Sequence, residues 1–170
     1  MSRLYDIAII GLGPAGSVLA QLLCKKHKVI AIDKKNSIEK GFKKPCGGLL
    51  SSDAQKALAK LNITLPKDVI VDPQIFAVKT IDLKNTLIRY YQRGYINIDR
   101  HKFDLWLKSL IPNHVDVYSN SYCSSIEKIP EGYRVTFHEN GIKQIITTKY
   151  LLGQRVQILW YDISFIPKRK

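Results

Sequence analysis

Apolar and polar positions recur along this chain with two different periods, and each change of period marks an element. Tyr5–Ile10 (YDIAII) is a short, β-branched apolar run, the pattern of a strand buried on both faces. It passes directly into Gly11-Leu12-Gly13-Pro14-Ala15-Gly16, after which Val18, Leu19, Leu22 and Leu23 share one face of a predicted helix. Lys28–Asp33 (KVIAID) reads as a second strand that closes on an acid. Residues 34–50 are polar, basic and glycine-bearing and read as a long loop, a kind of segment that tends to be functional. Ser51 or Ser52 caps a helix through Leu61, with Ala54, Leu58 and Leu61 on its apolar side, and Leu65-Pro66 breaks it.

Period-two alternation then predicts strands over Ile75–Asp82 and Asn85–Gln92, with a turn at Leu83–Lys84. Helical spacing returns over Asp99–Leu110, where Phe103, Leu107 and Leu110 fall on one face with Trp106 beside them, and Pro112 stops the run. Val115–Tyr118, Tyr122–Ile129, Tyr133–His138 and Ile142–Thr147 alternate as strands, joined by turns at Pro130-Glu131-Gly132 and Glu139-Asn140-Gly141. The expected class is α/β. It consists of a Rossmann-type βαβ start, an inserted mixed or antiparallel β segment and a β-meander, together occupying residues 1–153 as one incomplete domain.

The first 33 residues carry the sharpest chemistry. Strand, G-x-G-x-x-G, helix, strand and acid follow one another in the order a dinucleotide requires. Gly11 permits a tight turn, Gly13 lets the backbone approach a pyrophosphate, and Gly16 lets helix and strand pack closely. The helix N-terminus then offers unpaired N–H groups and a positive dipole end to phosphate. Asp33, about 20 residues beyond Gly13, stands where a carboxylate accepts ribose hydroxyls, and an acid there repels a 2′-phosphate. These residues by themselves fit FAD and NAD equally.

Pro45-Cys46-Gly47-Gly48 removes side chains from a stretch of loop and suits close approach to a flat ligand. Cys46 reads either as a proton donor or as a packing residue. Arg100, in the first turn of its helix, is either a surface arginine or a guanidinium that reaches a pyrophosphate.

Composition changes this picture little. The chain has 170 residues, 45% hydrophobic and 24% charged, as in an ordinary globular protein. Its 27 Lys+Arg against 14 Asp+Glu give +13, which suits a polyanionic ligand, loose contact with an anionic membrane surface, or simply a solvated lysine-rich exterior. The basic residues are scattered, and Arg89-Tyr90-Tyr91-Gln92-Arg93 is a lone aromatic-basic cluster, so nucleic acid is not the expected partner. Cys24, Cys46 and Cys123 have neither disulfide nor zinc spacing, which favours a reduced, cytoplasmic compartment and no metal site. Asp6 and the glycines that interrupt Ile7–Leu23 argue against a signal peptide or a membrane span.

Four segments together, IIGLGPAGS, KPCGGLLSSDAQ, DPQIFAVKT and YINIDRHKFDLWLKSLIP, resemble the geranylgeranyl reductase-type flavoproteins. That family shares the p-hydroxybenzoate hydroxylase-like FAD fold, and the resemblance runs from about Tyr5 to Leu152. It implies bound FAD, and reduction of isoprenoid double bonds by hydride from the reduced flavin. It also implies a cofactor-binding set: Gly11, Gly13, Pro14, Ala15 and Gly16 under the nucleotide, and Asp33 with Lys34 at the ribose, where many relatives have Glu. Pro45, Cys46, Gly47 and Gly48 would run near the isoalloxazine, Arg100 would touch the phosphates, and backbone near Cys123 would meet the adenine. An NAD-dependent dehydrogenase domain and a noncatalytic basic protein are the competing readings, and the PCGG loop and Arg100 speak against the first.

The resemblance stops after Gly153. Residues 154–162 read QRVQILWYD, where the family pattern continues as A-D-G-A-N-S-x-V-R. Back-translated and read from the third base of the Gly153 codon, the same stretch permits Ala-Glu-Gly-Ala-Asn-Ser-Met-Val-Arg. The expectation is a single-base frameshift near Gly153, an out-of-frame tail over 154–170, and a truncated chain that binds FAD weakly or not at all and turns over nothing.

Overall fold

The computed structural model describes residues 3–35 and 46–153. In chain order the elements are β1 (Arg3–Ile10), α1 (Pro14–Leu23), β2 (Val29–Ile32), β3 (Leu49–Leu50), α2 (Ser52–Lys60), β4 (Ile75–Asp82), β5 (Leu87–Asn97), α3 (Arg100–Ser109), β6 (Asp116–Tyr118), β7 (Ser121–Ile129), β8 (Gly132–Glu139) and β9 (Ile142–Gly153). They divide between two compact units, residues 1–39 with 107–170 and residues 40–106. The expected tail, 154–170, and Pro45 lie outside the described residues.

The first unit is built on a six-stranded sheet in the order β6-β2-β1-β9-β8-β7. β6, β2, β1 and the second half of β9 run parallel, whereas β9, β8 and β7 form the antiparallel meander. β1 is apolar at successive positions because both of its faces are buried. Tyr5, Ala8 and Ile10 join a core with Ile30, Ile32, Cys123, Val135, Phe137 and Ile146. Ile7 and Ile9 join a second core with Leu12, Ala20, Cys24, Val29, Ala31, Ile111 and Val115. The Asn140-Gly141 hairpin has both central residues at positive φ, 48° and 82°, which matches the twist of its strands.

Several elements depart from the sequence expectation. The last strand does not stop at Thr147. Residues 142–148 pair with β8, while residues 146–153 pair in parallel with β1, so β1 has a strand on each side. Beyond Thr148 this strand pairs with β1 alone; Leu151 packs against the first core and Leu152 against the second, while Tyr150 is exposed. In α1, the buried positions are Gly16, Ser17 and Ala20, while Leu19 and Leu22 are exposed. Close approach at Gly16 turns these small residues inward, and of the expected stripe Leu23 packs against the second core.

The second unit contains the three-stranded sheet β3-β5-β4 and the helix α2. The Ser51 side chain accepts a hydrogen bond from the Ala54 amide at 3.3 Å, the expected N-cap. Gln55 Nε2 donates to the Leu50 and Gly94 carbonyls at 2.9 and 2.7 Å, tying α2 to the strands. β5 starts at Leu87 and runs to Asn97, later and longer than expected. Asp82 draws Asn85 into the turn, its carboxylate accepting the Lys84 and Asn85 amides at 3.0 and 3.2 Å. Helix α3 begins after Asp99, whose Oδ1 accepts the His101 and Lys102 amides at 2.9 and 3.0 Å. Phe103 and Leu107 are buried as expected, but Leu110 is exposed and Ile111 takes its place. The helix ends at Ser109, so helical spacing no longer selects position 110.

Candidate nucleotide site

In the first unit, β1 delivers the chain into the glycine turn. The Gly11 amide donates to the Ile32 carbonyl at 2.8 Å, which locks the turn to the end of β2. Gly11 has φ +96°, a conformation that only glycine adopts without strain. A Cβ on Gly16 would sit 2.0 Å from the Gly11 carbonyl oxygen, so the helix can approach the turn this closely only with hydrogen at that position.

Gly13 is the N-cap of α1 and Pro14 its first residue, a position where a missing N–H costs nothing. No side chain caps this end, and its first turn holds no acid. The amides of Ala15 and Gly16 therefore belong to a helix terminus whose donors and dipole carry no internal anion. That cradle fits a pyrophosphate.

Asp33 follows directly on β2 and is buried. Its backbone is pinned from two sides: the amide donates to the Tyr118 carbonyl at 2.8 Å and the carbonyl accepts the Ser121 amide at 2.9 Å. Lys34 is exposed. The Asp33 side chain is not left to solvent, because Lys108 of α3 donates through Nζ to its Oδ2. Lys108 was invisible to sequence reasoning. It lies 75 positions away and follows no motif. Cys123 begins two residues past Ser121, and its thiol is packed in the core, where burial pushes its pKa up to about 11. Its side chain is thus part of the core, and its strand pairs with β8 at Phe137.

The second unit holds the other expected residues. Arg100 Nη1 donates to Cys46 Sγ at 3.4 Å, and Arg100 Nε donates to Asp104 Oδ1 at 2.8 Å, with Asp104 buried. Cys46 is exposed. Its pKa is lowered by the Gly48 amide first, and by the guanidinium after that. Gly47 has open space around the position of a Cβ, whereas Gly48, at φ +64°, would place one 2.3 Å from the Ile98 carbonyl oxygen. The pairing of Cys46 with Arg100 joins two residues 54 positions apart that no motif links.

No group of three or more His, Cys, Asp and Glu able to hold a metal occurs among the described residues, and no described helix is long and apolar enough to cross a membrane.

No family model matches the chain. Protein CbrA of Escherichia coli (strain K12) is 55% identical over 150 residues, covering 88% of this chain and 42% of that protein. CbrA of Shigella sonnei gives the same figures, 55% over 150 residues with 88% and 42% covered. The chain spans about two-fifths of the length of these relatives. Among solved structures, a geranylgeranyl bacteriochlorophyll reductase-like protein from Thermoplasma acidophilum superposes with a TM-score of 0.75 at 21% identity, over 90% of this chain and 39% of that one. A flavoprotein/dehydrogenase from Cytophaga hutchinsonii gives 0.68 at 22%, over 89% and 39%. The p-nitrophenol 4-monooxygenase PnpA from Pseudomonas putida DLL-E4 gives 0.70 at 12%, over 94% and 42%. Through most of its length the chain is thus similar in sequence to CbrA, and its α/β fold is the Rossmann-type fold of these flavoprotein structures.

Proposed function

We propose that the first unit is the adenosine-diphosphate half of an FAD site, and that the chain is the N-terminal part of an FAD-dependent oxidoreductase of the geranylgeranyl reductase type. The observation that carries this reading is the glycine turn locked against the end of β2, one residue from the buried carboxylate of Asp33. Amides around residues 11–16 hold the diphosphate, and Asp33 accepts the adenosine ribose hydroxyls. Bound FAD, once reduced, supplies a hydride, and an isoprenoid double bond is the substrate class that the family resemblance suggests. The protein's part is to position and to exclude water. Free cysteines and the +13 charge fit a cytoplasmic protein with at most peripheral membrane contact.

The adenosine-diphosphate half of the site binds FAD weakly by itself. Titration of the purified chain with FAD, followed by flavin fluorescence, tests this. Saturable quenching that is lost in D33A is the expected result. Binding that ignores D33A, or a preference for NAD over FAD, overturns it, the latter in favour of a dehydrogenase domain.

A further inference from the structure

Residues 11–16 and 33 suffice to hold a diphosphate and a ribose without any cation beside the acid. Yet the Asp33 carboxylate is bonded to the Lys108 ammonium, and the two side chains are only 6% and 11% exposed. A buried ion pair is a poor device for stability, since well-packed apolar residues of similar volume do as well or better. A buried carboxylate without a counter-charge is costly, however, and ribose hydroxyls are neutral donors that cannot supply one. A cation beside an acid held this deep offsets that cost, and Lys108 is the one the structure places there.

We propose that Lys108 is the positioning residue for Asp33. It compensates the buried charge and fixes the carboxylate rotamer that receives the adenosine ribose, and so sets FAD affinity. The inference rests on the FAD reading above.

The geometry suits this role. The Asp33 backbone is already pinned through Tyr118 and Ser121, so side-chain rotation is its remaining freedom. Lys108 takes Oδ2, and a carboxylate has about four acceptor sites, so acceptor capacity remains for hydroxyls. Lys108 is itself held. The Ile111 amide donates to its carbonyl at 3.0 Å, and the carbonyl of the preceding residue, buried Leu107, accepts from Gln21 Nε2 at 2.9 Å. Gln21 belongs to α1, the helix that starts at the glycine turn. The cation that orients the ribose acid and the helix that faces the phosphates are thereby connected through one hydrogen bond.

The test is a double-mutant cycle on the full 170-residue chain, with FAD affinity by fluorescence and folding by thermal melting. Lys108→Met should weaken FAD binding roughly tenfold, the scale seen when a partner that orients a ligand-holding side chain is removed. Lys108→Arg should restore most of it. In an Asp33→Asn background, Lys108→Met should cost no further affinity, whereas a purely structural lysine would cost the same in both backgrounds. If Lys108→Met melts before it can be titrated, the charge-neutral Asp33→Asn/Lys108→Met pair and Lys108→Arg carry the comparison: Arg must bind FAD like the parent and the pair like Asp33→Asn alone. Undiminished affinity in Lys108→Met, with Asp33→Asn still weakened, overturns the role of Lys108 and leaves the FAD reading standing. A parent chain that quenches no flavin overturns both.

Discussion

Gly16 packs so tightly against Gly11 that a methyl group on the first would lie 2.0 Å from the carbonyl oxygen of the second. The obstacle is backbone, which cannot swing aside as a side chain can. Gly16→Ala should therefore push α1 off the turn and cost about 1–3 kcal/mol, the scale of forced overpacking. The expected result is a lower urea midpoint together with weaker FAD binding. Gly47→Ala, where nothing lies within 4 Å of the added carbon, should leave the midpoint nearly unchanged and serves as the control.

Tyr5 makes stability depend on alkaline pH. Burial first, and its 2.5 Å hydrogen bond to Asp116 second, push its pKa up from 10.0 to about 12. The folded protein then holds a proton that the unfolded chain has already lost. This contribution is complete below pH 10 and disappears as pH rises towards 12. Tyr5→Phe should lower stability at neutral pH by about 1 kcal/mol, the typical worth of a hydrogen bond. It should also lose less than the parent between those two pH values. Denaturation midpoints across the window check the sign.

The three cysteines should react at different rates. Cys46 is exposed and its pKa is lowered, whereas Cys24 and Cys123 are buried. Iodoacetamide should alkylate Cys46 first, as read by peptide mass spectrometry. Arg100→Met should slow that reaction without halting it, because the Gly48 amide, the larger cause, remains. Equal rates in the parent and the variant would remove Arg100 from the account.

Among the described residues of the second unit, β4 is an edge strand, and Ile81 faces Ile88 on a β4–β5 ribbon that also exposes Tyr90. An apolar surface beside an unpaired edge invites association. Ile81→Lys with Ile88→Thr should raise the concentration at which the chain aggregates, measured by light scattering, and change its melting temperature little.

Local rules were enough for much of this protein. The glycine turn, the Ser51 cap and the Asn140-Gly141 hairpin each depend on residues within a few positions of one another, and the unbroken apolar run of β1 announces its two buried faces, so these features are written in order along the chain. The acid at position 33 belongs with them, because its place is set by where β2 ends. Tertiary structure decided the rest. Leu19 and Leu22 look like core yet are exposed, since the close approach at Gly16 turns Gly16, Ser17 and Ala20 to the buried side of α1. β9 runs past Thr147 because β1 offers it a second edge, an opportunity that alternation within the strand cannot encode. The ion pair between Lys108 and Asp33 and the contact between Arg100 and Cys46 span 75 and 54 positions. A charge finds its partner in three dimensions, and only the folded chain decides which distant side chains share a buried space.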